Sequence, residues 1–287
     1  MIDLNAVAAA FPELSDITFI VQSGQRLVFG AYLSGRRVAL KVLKEGQNLD
    51  RIIREPEAVS RLGSDFIPEI VDSGDRVIAG VAWPYLIEQY IDGRSYRTVL
   101  TARPVQPVTS VLTLGRQLLR ACTAFEEHRI VHRDIKPENI MLDAGDKAWI
   151  LDFGIVRLLD WVSVTGTNDA FGPFTPGYAA PEQVRNRKDD IDSRADLFSV
   201  GVVLYEAFNG SNPYRANKRS NLEIIDHVCN QDLPRLALDG DEDGSLSEFI
   251  ATLVSRFPSR RPQTTSDALA WHIQVSERWH ARRPRSL

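Results

Sequence analysis

The stretch "HRDIKPEN" (His132 to Asn139) gathers two acids, an amide and two basic side chains besides its histidine, and a third acid, Asp152 of "LDFG", follows thirteen residues after Asn139. Asp134 and Asn139 must lie on a loop, because Pro137 has no backbone donor and pushes Lys136 out of helical geometry. The next segment, "NIMLDAGDKAWILDFG", reads as a hairpin turning at "DAGD". A hairpin returns its end beside its beginning, so Asp152 is expected next to Asn139. Two carboxylates, an amide and a lysine converging at a lobe boundary suit phosphoryl transfer from a metal-bound nucleotide, where a protein chiefly positions groups and neutralises phosphate charge. In that chemistry Asp134 accepts the proton of an attacking hydroxyl, and Asn139 and Asp152 ligate Mg²⁺, a hard cation that prefers oxygen.

The elements that must position these groups fall into two kinds. From Ile17 to Lys44 the runs "ITFIV", "RLVFGAYL" and "RRVALKVL", separated by turns at Gly24 and Gly35, predict an antiparallel meander. A helical stretch near Leu49 to Leu62 follows, then further β-like segments as far as "WPYLIEQYIDG". Beyond Gly93 the pattern becomes helical: Val111, Leu114, Leu118, Cys122 and Phe125 recur at steps of three and four, which marks a helix over Thr109 to His128 with one buried face. "SRADLFSVGVVLYEAFNG" predicts a helix N-capped by Ser193 and ended by Gly210, apolar nearly all round and therefore internal. Helical patterns recur in "NLEIIDHV", "LSEFIATLVSRF" and "TTSDALAWHIQVSERW", and the acidic "DGDEDG" (Asp239 to Gly244) reads as a solvated loop. The expected fold class is α+β, with a mainly β lobe over residues 1–91 and a mainly helical lobe over 92–287.

Composition is that of an ordinary globular chain: 287 residues, 44% hydrophobic, 25% charged, with a net charge of -4 that gives no general attraction to nucleic acid or anionic lipid. The locally basic end, "RWHARRPRSL", reads as a solvated tail. Cys122 and Cys229 show neither CxxC nor Cys/His metal spacing, so neither a disulfide framework nor zinc is indicated, and a reducing compartment fits. "MIDLNAVAAAF" lacks the basic start of a signal peptide, and no apolar run approaches the roughly 20 residues needed to span a bilayer. The expectation is a cytoplasmic protein.

With "VALK" at Lys41, "HRDIKPEN", "DFG", "TPGYAAPE" (Thr175 to Glu182), "ADLFSVG" around Asp196 and "RRP" at Arg261, all in family order, the chain resembles the eukaryotic-type protein kinases of the Ser/Thr kind over nearly its whole length. The resemblance implies a two-lobed kinase fold, with ATP and Mg²⁺ bound and phosphate transferred to Ser/Thr hydroxyls of proteins. It implies that Lys41 holds the α and β phosphates and that Lys136 meets the γ phosphate. Val28, Ala39 and Met141 would enclose the adenine, backbone groups from Gln89 to Ile91 would meet its edge, and Ser95 is a weaker candidate for the ribose. Thr175 would lie beside the acceptor residue. Glu182 would pair with Arg261, Asp196 would hold the catalytic loop, and His132 would support it from the core.

Several positions depart from the family pattern. Its phosphate loop, G-x-G-x-x-G-x-V, is represented by "VQSGQRLV", with Val21, Ser23 and Arg26 at the glycine positions; Arg26 could reach the phosphates itself. For the acid that pairs with Lys41, Glu55 and Glu57 compete. On a helical wheel Ile52, Val59 and Leu62 fall within roughly 80° with Glu55 among them, whereas Glu57 points about 140° away from Ile52, so Glu55 is chosen. Pro56 interrupts that helix, which makes an activating partner or self-association a candidate requirement. Glu88 falls where the family has an apolar residue behind the adenine, and a charge there needs a partner or water. Ser163, Thr165 and Thr167, with Arg133 beside the catalytic acid, point to autophosphorylation of the intervening loop. The alternative from another class is a nucleotide-binding pseudokinase serving as a switch or scaffold, supported by the glycine-poor loop.

Overall fold

A computed structural model of the chain describes residues 2–23, 26–43, 65–152, 174–186, 191–218 and 220–282. The proposed acid Glu55, its neighbour Pro56, Gly24 and the hydroxyls Ser163, Thr165 and Thr167 lie outside the described residues. The chain packs as two compact units. The first takes in the chain before residue 64, residues 67–92 and Asp152; the second takes in 65–66, 93–151 and 174 onward.

The first unit is built on a five-stranded antiparallel sheet of β1 (Leu14–Ser23), β2 (Arg26–Leu33), β3 (Arg36–Leu43), β4 (Ile70–Ile78) and β5 (Val81–Gln89), in the order β1-β2-β3-β5-β4. Two of its hairpins close through two residues each in the left-handed region, Ser34 and Gly35 (φ 51° and 80°) and Ala79 and Gly80 (φ 51° and 86°). Such a turn matches the twist of the flanking strands and fixes their register. In that register Val38, Leu40 and Val42 of β3 join Leu27, Phe29 and Ala31 of β2 and Tyr85 and Ile87 of β5 in one apolar core. A short helix, α1 (Leu4–Ala10), is capped by the Asp3 side chain and adds Val7 to that core, as does Phe11 just beyond it. Phe11 meets Tyr85 edge-on at 5.0 Å between centroids. Burying an aromatic of this size contributes roughly 2–3 kcal/mol. Because side chains alternate along a strand, Val28, Ala39, Lys41 and Glu88 are turned to the face opposite that core.

The second unit starts with a small antiparallel sheet of β6 (Gly93–Ser95), β7 (Ile140–Asp143) and β8 (Ala148–Ile150). The turn between β7 and β8 is held by Asp143, whose carboxylate accepts from the backbone amides of Gly145 and Lys147 at 2.9 and 3.0 Å. Its helices are α2 (Tyr96–Ala102), α3 (Val108–Glu127), α4 (Pro181–Val184), α5 (Ser193–Asn209), α6 (Asn221–Asn230), α7 (Ser245–Leu253) and α8 (Thr265–Ala281). The α3 stripe of Val111, Leu114, Leu118, Cys122 and Phe125 is buried as its spacing predicts. Helix α5 is buried on all sides through its middle. It runs so close to α7 that a Cβ on Gly201 would come within 2.7 Å of the Leu253 Cβ.

Two local expectations need correction. The cap of α5 is Asp192 rather than Ser193: the Asp192 carboxylate accepts from Arg194 N, and the Ser193 hydroxyl donates instead to Glu126. The acidic "DGDEDG" is more than a solvated loop, since Asp241 accepts from the amides of Leu246 and Ser247 at 3.0 and 2.8 Å and so caps α7. The α+β division holds, a mainly β unit preceding a mainly helical one. Among the described residues no helix is long and apolar enough to cross a membrane.

Candidate active site

The catalytic-loop candidates lie in the second unit. Pro137 opens a single 3-10 turn, Pro137–Asn139, and Lys136 before it is fully extended, as the proline requires. This brings Lys136 and Asn139 back onto Asp134. One carboxylate oxygen of Asp134 accepts from Lys136 Nζ at 2.6 Å and from Asn139 Nδ2 at 2.9 Å, and the other accepts from the Thr175 hydroxyl at 2.7 Å. Lys136 Nζ also donates to Thr175 Oγ1 at 2.8 Å. Asn139 Nδ2 is further shared with the Asp134 carbonyl at 2.9 Å, so the amide's nitrogen end is spent on Asp134, and its Oδ1 makes no hydrogen bond among the described residues.

The loop is anchored from beneath. Asp196, 1% exposed, accepts from the backbone amides of His132 and Arg133, each at 2.8 Å. Burial pushes its carboxyl upward, against the pull of His132, Arg133 and those two amides. Arg133 has φ +67°, a left-handed conformation that a non-glycine residue keeps only when its surroundings hold it. Gln183 assists by donating to the Arg133 carbonyl at 2.9 Å. His132 is a buried support, stacked on Phe125. Its Nδ1 accepts from Asp134 N at 3.3 Å, which leaves Nε2 to donate to the Leu151 carbonyl at 3.1 Å. Glu182 and Arg261 form a buried bidentate pair at 2.6 and 3.1 Å.

The second group lies in the first unit. Lys41 Nζ, on β3, contacts Glu88 Oε1 at 2.6 Å and Asp152 Oδ1 at 2.7 Å. Arg26 is ion-paired to the same oxygen of Asp152. Burial pulls Lys41 down, but Asp152 and Glu88 outweigh it and hold the ammonium above its ordinary range, with Arg26 opposing them. Burial pushes Glu88 up, Lys41 pulls it down, and Asp152 adds to the rise. Asp152, like Arg133, has a positive φ, +65°. Leu151, the residue before it, donates its amide to the Asn139 carbonyl at 2.7 Å, as the hairpin reading requires.

The sequence candidates thus collect into two groups, Asp134 with Lys136 and Asn139 in one unit and Lys41 with Asp152 in the other. Val28 lies directly across from Lys41 on β2, half-buried, and Ala39 is two residues from Lys41 on the same face. Gln89 spends its backbone amide on the Glu69 carbonyl at 2.8 Å, whereas Ile91 makes no hydrogen bond among the described residues. Met141 lies on β7 opposite Ser95, and is half-buried. The Ser95 hydroxyl caps α2, accepting from Thr98 N at 3.1 Å. Sequence reasoning missed the Glu88 partner of Lys41, the bridging Thr175 hydroxyl and the Arg26 to Asp152 pair. Only the β3 to β5 register could have pointed to the first.

Residues 26–271 match the family model described as protein kinase domain. The chain belongs to that family. This kinase domain is 33% identical over 242 residues to the serine/threonine-protein kinase PknL of Mycobacterium tuberculosis, covering 82% of the chain and 57% of the relative. It is 29% identical over 246 residues to the serine/threonine-protein kinase PknB of Mycobacterium leprae, covering 84% and 39%. The chain therefore spans about two fifths to just over half the length of these curated relatives. The matched region of the kinase domain begins at Arg26, so α1 and β1 precede it.

Proposed function

We propose that the chain is a serine/threonine protein kinase that transfers the γ-phosphate of Mg-ATP to protein hydroxyls, including hydroxyls of its own loop at Ser163, Thr165 and Thr167. The observation that carries this reading is the Asp134 carboxylate, held at both oxygens by Lys136, Asn139 and Thr175. A carboxylate fixed in this way can orient an acceptor hydroxyl and take its proton as the oxygen attacks phosphorus, while the bond from the γ phosphorus to ADP breaks. Lys136 lies one side chain away and offsets charge on the transferring group. Lys41 binds the α and β phosphates from the face it shares with Val28 and Ala39, the face we assign to the adenine together with Gln89, Ile91 and Met141.

The Asn139 Oδ1 and the Asp152 carboxylate are the hard oxygen donors that suit Mg²⁺, an ion bound in such sites through one or two protein oxygens plus phosphate and water. When bound, the ion neutralises phosphate charge and orients the chain of phosphates. Residues 1–91 are assigned to nucleotide binding and 92–287 to catalysis and protein substrate. The names of the relatives, serine/threonine-protein kinases, support the choice of acceptor.

The test incubates wild type and Asp134→Asn with labelled ATP, Mg²⁺, generic protein substrates and a metabolite panel. Label entering proteins with wild type only is the expected result. Nucleotide binding without transfer would instead point to a switch, and label entering a metabolite would change the substrate class.

A further inference from the structure

We propose that Glu88 is the carboxylate that positions Lys41 for the nucleotide phosphates, so that this lysine is set from within the sheet. The inference rests on the phosphotransfer reading above. In the ladder between β3 and β5, Ala39 is opposite Glu88 and Lys41 is opposite Leu86. Ala39, Lys41 and Glu88 therefore share one face, and Glu88 is the diagonal cross-strand neighbour of Lys41, within reach of a long side chain. The 2.6 Å contact between Lys41 Nζ and Glu88 Oε1 is that diagonal pair.

Burial makes the pair matter. Lys41 is 3% exposed and Glu88 7% exposed, and a buried ammonium needs an anion to hold both its charge and its place. Asp152 supplies a second carboxylate, but the oxygen that meets Lys41 is shared with Arg26, and the same side chain is the one assigned to the divalent ion. Glu88 has no such division: among the described residues Lys41 is its one ion-pair partner. Were the Asp152 oxygens engaged by a divalent ion, Glu88 would be the carboxylate left on Lys41 among the described residues. It projects from a hydrogen-bonded strand paired on both sides, an element that holds geometry better than a loop.

A side chain that sets Lys41 without touching the acceptor acts on nucleotide binding more than on proton transfer at Asp134. Glu88→Gln keeps the length and an acceptor oxygen but removes the charge; Glu88→Met keeps the length alone. Both are measured against wild type for Mg-ATP affinity by displacement of a fluorescent nucleotide, for ATP KM and kcat, and for Tm. Both are expected to weaken nucleotide binding and raise KM roughly tenfold or more, with kcat changed less. Tm is expected to be unchanged or lower, because the buried Lys41 ammonium is left with Asp152 as its carboxylate partner. A purely structural role would leave affinity alone. Wild-type affinity in either folded variant overturns the proposal. So does tighter binding or faster transfer, which would mean that Glu88 sequesters Lys41. Glu55→Gln, prepared alongside, is expected to weaken binding less than Glu88→Gln, and the reverse order also overturns it. A wild type that binds Mg-ATP without transferring phosphate sinks the kinase reading and leaves the affinities to judge Glu88. One that does not bind nucleotide sinks both.

Discussion

Replacing Thr175 by valine isolates one link of the catalytic group. The Thr175 hydroxyl donates to Asp134 at 2.7 Å and accepts from Lys136 at 2.8 Å, so it joins the two charged groups that the proposed chemistry needs held together. Valine has nearly the same volume and exchanges the hydroxyl for a methyl, leaving one Asp134 oxygen and one Lys136 hydrogen without that partner. The side chains of Asp134 and Lys136 are only 8% and 19% exposed, so water replaces the hydroxyl poorly. A hydrogen bond to a charged group is worth about 1.5–3 kcal/mol. Expressed wholly in the transition state, that is a loss of roughly 10- to 150-fold in kcat. The ATP KM should barely change, because Lys41 and its carboxylates are in the other unit. Thr175→Ser keeps the hydroxyl and should retain most of the rate. Steady-state phosphotransfer at saturating ATP, with acceptor varied, measures the effect. A Thr175→Val enzyme with wild-type kcat, or one whose loss appears only in ATP KM, would refute this account of the hydroxyl.

Other perturbations bear on different parts of the molecule. Removing one member of the buried bidentate pair in Glu182→Gln leaves Arg261 uncompensated and should cost about 3–5 kcal/mol, lowering Tm by roughly 10 °C, whereas Glu182→Leu combined with Arg261→Met should recover much of that loss. His272, 1% exposed and edge-on to Phe249 at 5.6 Å, is pulled by burial, with a smaller push from Arg116, from 6.5 down to about 4. The unfolded chain takes up that proton first, so this stability is complete above the unfolded value and is lost as pH falls toward the folded one, at most ~3 kcal/mol. Thermal melts from neutral to acid pH should therefore fall less steeply in His272→Leu than in wild type, and parallel curves would exclude His272 as a source of acid lability. Arg26→Ala frees the Asp152 oxygen that Arg26 shares with Lys41 and should lower the Mg²⁺ concentration for half-maximal transfer; an unchanged requirement would show that Arg26 does not compete with the ion.

Most of the helical unit was legible because its signals are local. The apolar steps of α3, the all-round burial of α5 and the stop at Gly210, whose φ is +81°, each depend on residues within a turn or two. The error at the start of α5 has the same origin: Asp192 and Ser193 are adjacent and both are good caps, and only the demand of Glu126 for the Ser193 hydroxyl, made from another helix, decides between them. The Asp134 to Asn139 group was legible for a related reason. Pro137 forces a turn, and a turn of that size can only fold its own two ends together.

What could not be read was whatever depends on register between strands. The sequence announces a charged residue at Glu88 and a lysine at Lys41, and each alone looks like a problem of burial. Composition cannot say that the two problems solve each other, because the answer lies in Ala39 falling opposite Glu88, which is set by the turns and the hydrophobic alternation of neighbouring strands. A shift of one residue would send Glu88 into the core occupied by Tyr85 and Ile87, where no lysine waits, so the same register that completes the core also creates the pair. A helical wheel over residues 49–62 can offer Lys41 only the carboxylates of that segment, Glu55 and Glu57. The pairing of β3 with β5 supplies a carboxylate from a different element, and the effect of removing its charge on nucleotide affinity decides whether that carboxylate serves the phosphate site or merely fills space beside it.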